Sequence, residues 1–270
     1  MASAADSLAQ ASRTGSPLVG LIDRWIYVFM AGLFVATTLA GFIPDSLVKI
    51  AAVEAGQRPP FPPVLHVHAV LMGSWLMLLL AQTTLMATGN SRHHQKLGIA
   101  SFLLAPAIIV SGIVLVPTIY AQVWDAVAAA PPERLEELRG NLARRTNVIL
   151  LQSRAGLVFA LCVVLALRAR RVDSGFHKRM IILATLTPLG AAINRITWLP
   201  STMPESPLFG DIFTLLLLLP MFAWDLFRLG RVHRAYIVWF ALWLSASVAV
   251  HLLWGTSWWQ TTAPGLIGFS

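Results

Sequence analysis

Seven stretches of roughly twenty predominantly apolar residues recur along this 270-residue chain, separated by short basic or Pro/Gly-rich links. No other feature constrains the fold as much. A run of that length, written as a helix, matches the thickness of a bilayer's hydrocarbon core, and the chain has too few polar residues to cover so much apolar surface in water. Composition agrees: 57% of residues are hydrophobic, 12% are charged and the mean hydropathy is +0.70, whereas soluble domains carry roughly 25% charged residues. The chain reads as all-α, a polytopic membrane bundle of seven transmembrane helices.

The expected spans are 24–42, 62–88, 97–120, 146–167, 177–199, 208–227 and 235–254. Around them lie an N-terminal tail over 1–22, a membrane domain over 23–254 and a C-terminal tail over 255–270. The link 122–145 begins a short helix at Pro131 and Pro132. Its face of Leu135, Leu138 and Leu142 is expected to lie along the outer membrane surface as a cap. Trp258 and Trp259 in the tail read as an outer interfacial anchor. The first twenty residues are small and polar, with Arg13 their one basic residue, and no secretory signal is expected there. Cys162 lies alone within an apolar run, so no intrachain disulfide is available.

Alternate links divide the charge unequally. Twelve Lys and Arg fall on one side and six on the other, and the acids reverse this, four against eight. The positive-inside rule then puts the N-terminus in the cytoplasm and the C-terminus outside. It also explains the net charge of +8 without any nucleic-acid partner.

Within the second span, His68, Trp75 and Gln82 stand seven apart and fall on one helical stripe, with His66 pointing elsewhere. Polar groups at membrane depth are costly and usually face the bundle interior, a cavity or a bound group. An outer polar layer collects His66, His68, Gln152, Arg154, Asn194, Arg195 and His251, joined by Tyr120; Trp75 and Gln82 line the same expected pocket. An inner layer collects His93, His94, His177 and His233 beside basic residues. No Asp or Glu is expected at the depth of Arg154, so Arg154 and Arg195 lack an internal counter-ion. An anionic group would supply one: a carboxylate substrate, a lipid phosphate, a quinone oxygen or haem propionates. The alternative is neutralisation by backbone carbonyls, water and the outer acids Glu205 and Asp211.

His66, His68 and His251 are enough in number for a transition-metal site, provided the second span starts irregularly among its prolines. A b-type haem needs one histidine from each of two helices at similar depth. His68 with His251, and His93 or His94 with His177, would meet that requirement on either face. Pro188 breaks the fifth span between His177 and Asn194. Asp225 is expected to pair with Arg228, Arg231 or His233. No phosphate loop, serine elbow or carboxylate pair is present, so no catalytic constellation is read and whether the chain is an enzyme stays open.

The pattern HVHAVLMGSWLMLLLAQ, then RHHQKLG, then HKRMIILATLTPLGAAINR resembles a group of bacterial integral membrane proteins of unknown function. That group shows an H-x-H…W…Q span, an H-R-x-L-G link and an H-K-R-L-M-x-L-A-T helix. The likeness covers roughly 66–195 and extends weakly to FAWDLFRLGRVH. HHQKLG stands where H-R-x-L-G is usual, leaving open whether His93 or His94 matches. More distantly the layout is similar to transmembrane di-haem b-type cytochromes, which implies haem and electron transfer. Three functions are therefore carried forward. The first is a membrane redox or cofactor-binding protein, with haem or a metal on the histidines and an anionic group on Arg154 and Arg195. The second is a transporter or receptor for a small anion or lipid headgroup, and the third a structural or assembly subunit of a larger membrane complex.

Overall fold

The structure, a computed structural model, describes residues 16–269; the expected tail over 1–22, including Arg13, lies outside these up to residue 15. Every regular element among the described residues is helical. The helices are α1 (Pro17–Glu54), α2 (Pro63–Ala87), the short α3 (Ser91–Leu97), α4 (Ser101–Ala128), α5 (Pro132–Ala169), α6 (Ser174–Leu186), α7 (Gly190–Ile193), α8 (Leu208–Leu229), α9 (Arg234–Leu253) and α10 (Ser257–Leu266). A 3-10 turn joins α3 to α4, and another, Thr187–Leu189, joins α6 to α7.

Their limits follow from local chemistry. Proline opens α1, α2 and α5 at positions where its missing N–H costs nothing. The Asp173 carboxylate accepts from Phe176 N at 2.8 Å to cap α6, and Thr256 caps α10 in the same way. Gly230, at φ 63°, ends α8 in the left-handed conformation that glycine adopts without penalty.

Six of the helices, with α3 and α4 running as one, are long and apolar enough to cross a membrane, the pattern of a multi-pass membrane protein. Large apolar side chains such as Val70, Leu103, Ile113 and Leu252 are two-thirds or more exposed, as lipid-facing residues are. The expected fifth span is different. It forms α6, the 3-10 turn at Pro188 and α7, and helical structure stops at Ile193 rather than reaching 199. From Ile182 to Thr187 every residue is buried, because α5, α9, α1 and α8 all pack around α6. An irregular backbone at membrane depth is tolerated where protein rather than lipid surrounds it.

At the far side of α6, Gly41 of α1 lies against α7 so closely that a Cβ there would sit 2.2 Å from Ala192 O. The basic links gather at one end of the bundle. There Arg24 donates to Ala87 O, Arg228 pairs with Asp23 at 2.7 Å and Arg234 with Asp173 at 2.6 Å.

Two expectations about the opposite end are corrected. Residues 122–145 form no separate surface helix: 122–128 continue α4, and 132–145 are the first turns of α5, a single 38-residue helix. At 1.5 Å per residue α5 extends about 57 Å, well beyond a hydrocarbon core of about 30 Å, so its first turns project. The half-buried Leu142 packs with Tyr120 and Trp259 in a second apolar cluster. The C-terminal tail, read as an anchor, is instead docked. Trp259 Nε1 donates to Thr146 O at 2.8 Å and Gln260 to Asn147 Oδ1 at 2.8 Å, while Trp258 is exposed.

Candidate functional site: ion pairs and histidines inside the bundle

The stripe on α2 does face inward, and its partners hold helices together. His68 Nδ1 lies 2.8 Å from Ser111 Oγ, and Ser111 donates to Ile108 O, so the imidazole Nδ1–H is the donor. Trp75 Nε1 donates to Thr185 Oγ1 at 3.0 Å, and from the other side of α6 Trp239 Nε1 donates to Thr187 Oγ1 at 3.1 Å. Both threonines return their hydroxyl hydrogens to α6 carbonyls. Two indoles thus pin the buried helix where apolar packing alone would let it slide. Gln82 lies against Gly98, with its Oε1 buried and without a partner among the described residues.

At the opposite end, Arg154 is not lacking a counter-ion. Its guanidinium makes a bidentate pair with Asp211 (2.9 and 2.6 Å), donates to Ser247 Oγ at 2.8 Å and lies 5.4 Å from the Trp243 ring centroid. His251 Nε2 reaches the same carboxylate at 3.1 Å. Both members of the pair are 8% exposed. Asp211, one of the two outer acids named as the alternative neutraliser, lies in the first turn of α8 and reaches inward to Arg154, whereas Arg195 takes neither of them. Arg195 likewise has its own acid, Asp45, at 3.1 Å and sits over the Phe42 ring. The two arginines therefore do not converge on one anion.

The remaining residues of the expected outer pocket are dispersed. Gln152 is exposed. Asn194 fills the space left by Gly210, where a Cβ would meet its amide oxygen at 2.6 Å. The Tyr120 hydroxyl meets Thr146 Oγ1 at 3.4 Å inside the cluster that docks α10. His66 is exposed and edge-on to Phe61 at 6.1 Å. With His68 on Ser111 and His251 on Asp211, the expected metal trio is not assembled. Among the described residues no three His, Cys, Asp or Glu side chains gather in a way that could hold a metal ion.

The basic end holds a network that the sequence reading did not find. Arg179 of α6 makes a bidentate pair with Asp225 of α8 (2.7 and 2.6 Å), and Tyr236 of α9 donates to the same carboxylate at 2.5 Å. Asp225 was expected to pair with Arg228, Arg231 or His233; Arg228 is bound to Asp23 instead. The available signal was that Asp211 and Asp225 stand fourteen apart on one apolar helix, close to four turns, and so face the same interior.

Beside this pair a cavity of about 280 Å³ opens between α1, α6 and α8, lined by Tyr27, Lys178, Arg179, Asp225, Asp23 and Arg228 among others. Arg179 and Arg228 are each matched by an acid, while Lys178 has no carboxylate within ion-pair distance among the described residues. Its ammonium lies 4.7 Å from the Tyr27 ring centroid, and the Tyr27 hydroxyl is buried without a partner among the described residues.

The remaining histidines lie at this end too. His233 caps α9, its Nδ1 accepting from Ala235 N at 3.1 Å, which requires a neutral ring. Burial, with the nearby Arg179 charge, pushes its pKa below the ordinary histidine value and so agrees. His177 Nδ1 lies 2.8 Å from Ala166 O and must donate to it, leaving the Nε2 lone pair free. His94 is half-buried, its Nδ1 buried with no partner among the described residues, whereas His93 is exposed. No family model, curated protein or solved structure matches this chain.

Proposed function

We propose that this is a bacterial inner-membrane protein that crosses the bilayer seven times, with its N-terminus in the cytoplasm, and that it is a transporter or receptor for a small anion. Support for the seventh crossing comes from the stretch 174–193, whose twenty residues reach about 30 Å if helical throughout. Support for the orientation comes from the basic links meeting at one end. The anion reading rests on one observation: after two ion pairs are made, the cavity between α1, α6 and α8 retains the charge of Lys178 and the unpartnered hydroxyl of Tyr27.

A carboxylate or phosphate in that cavity would accept from both and stand beside a fixed arginine, as anion sites do. The volume restricts the guest to a small molecule. Acetate, pyruvate and phosphate titrated against purified protein in detergent should identify a stabilising anion by thermal shift. The shift should disappear in Lys178→Gln and persist in Lys178→Arg. No stabilisation by any of the three, or Lys178→Gln responding like the parent, would refute the reading.

A second reading, a haem or transition-metal cofactor, is supported by His94 and His177. The backbone bond at Nδ1 of His177 is the arrangement that orients a ligating imidazole with its Nε2 free. Absorption spectra of oxidised and reduced protein, with elemental analysis, test it. A colourless, metal-free and folded preparation would remove it.

A further inference from the structure

A second cavity is apolar rather than polar. A groove of about 550 Å³ runs down the outside of the bundle between α4 and α5. Its floor is apolar, from Phe102, Pro106 and Ile109 on α4 to Val164 and Leu167 on α5, and small residues at Ala105 and Ala160 keep the two helices from filling it. From Ser101 to Ile109 it follows α4 for about 12 Å. At the basic end it finishes on Arg168, Arg170 and Arg171. All three are exposed, and none has an acid within ion-pair distance among the described residues. The Arg170 guanidinium lies over the Phe102 ring at 4.8 Å, at the mouth of the groove.

An apolar trough ending in three uncompensated guanidinium groups has the polarity of one particular molecule. We infer that the α4–α5 groove binds a single anionic phospholipid, one acyl chain lying along Pro106 and Val164 and the phosphate on Arg168, Arg170 and Arg171. A free phosphate would leave the trough empty, and a zwitterionic lipid would bring its own cation to the arginines. General attraction of basic links to anionic membranes needs the charges alone; the groove adds a place for one chain, and that difference can be tested.

Protein in mild detergent would be titrated with dioleoyl-phosphatidylglycerol, dioleoyl-phosphatidylcholine and glycerol 3-phosphate, with bound copies counted by native mass spectrometry and stability read by thermal shift. One retained phosphatidylglycerol per chain is expected, with little retention of phosphatidylcholine and none of glycerol 3-phosphate. Arg168→Gln with Arg171→Gln should weaken retention roughly fivefold for each arginine removed. Val164→Trp fills the trough from a residue that is 52% exposed and so leaves the core intact. It should abolish the single tight copy, whereas Leu103→Trp, 75% exposed and outside the groove lining, should not. Equal retention of phosphatidylcholine would overturn the inference. So would a Val164→Trp variant that keeps its lipid, because charge alone would then account for the binding. Lys178→Gln should leave lipid retention unchanged, separating this site from the anion cavity.

Discussion

Removing Asp211 tests whether Arg154 is neutralised within the protein. Arg154 gives two hydrogen bonds to this carboxylate and one to Ser247, and both charged side chains are only 8% exposed. Asp211→Leu leaves the guanidinium buried with a single hydroxyl partner, and breaking such a pair from one side costs about 3–5 kcal/mol. Arg154→Met should cost less, about 1–3 kcal/mol, because Asp211 keeps the bond to His251 and lies nearer the solvent-facing end of α8. The double variant removes both charges and puts apolar groups of similar size in their place, so it should recover most of the loss. Unfolding in mixed detergent micelles, read as a double-mutant cycle, would show a coupling energy of about 2 kcal/mol or more. If Asp211→Leu costs under about 1 kcal/mol and the cycle shows no coupling, Arg154 is satisfied by something other than Asp211, and the assignment of the pair as structural fails.

Three further outcomes follow from the geometry. Gly41→Ala should destabilise the bundle by about 1–3 kcal/mol, read as a lowered melting temperature, because its Cβ would have to displace the Ala192 backbone. Tyr236→Phe should cost about 1.5–3 kcal/mol in the same assay by removing a donor from the buried Asp225 carboxylate. His233 has a folded-state pKa below its unfolded value of about 6.5, so the unfolded chain takes up the proton first as pH falls. Its contribution to stability is therefore full above that value and lost on acidification. His233→Asn, which keeps a capping acceptor, should show a smaller fall in melting temperature between pH 7 and 5 than the parent; an unchanged fall would contradict this.

Helix placement was largely legible because it depends on one-dimensional quantities, although among the described residues six helices rather than the expected seven are long and apolar enough to cross a membrane. The apolar runs at 62–88, 208–227 and 235–254 became α2, α8 and α9 within two residues at each end. The inward stripe of His68, Trp75 and Gln82 follows from the 100° helical turn alone, and Pro188 marked the break in the fifth span. Arg154 shows where that kind of reasoning stops. Its need for a partner was plain, but the partner lies 57 positions away on another helix.

The order of residues is enough to give a membrane-spanning helical architecture and the list of polar groups that must be paired. Apolar length and helical period belong to each segment separately and need no neighbour. Helix packing settles who pairs with whom: Arg154 with Asp211, Arg179 with Asp225 and Tyr236, Trp75 with Thr185 of α6, and Trp239 with Thr187 in the turn that follows it. A buried charge is satisfied by whichever opposite group helix packing brings within about 3 Å, and that choice depends on helix rotation and order around α6. The same packing leaves Lys178 and the arginines of the α4–α5 groove without acids among the described residues, and the proposed ligands of this protein follow from those unmatched charges.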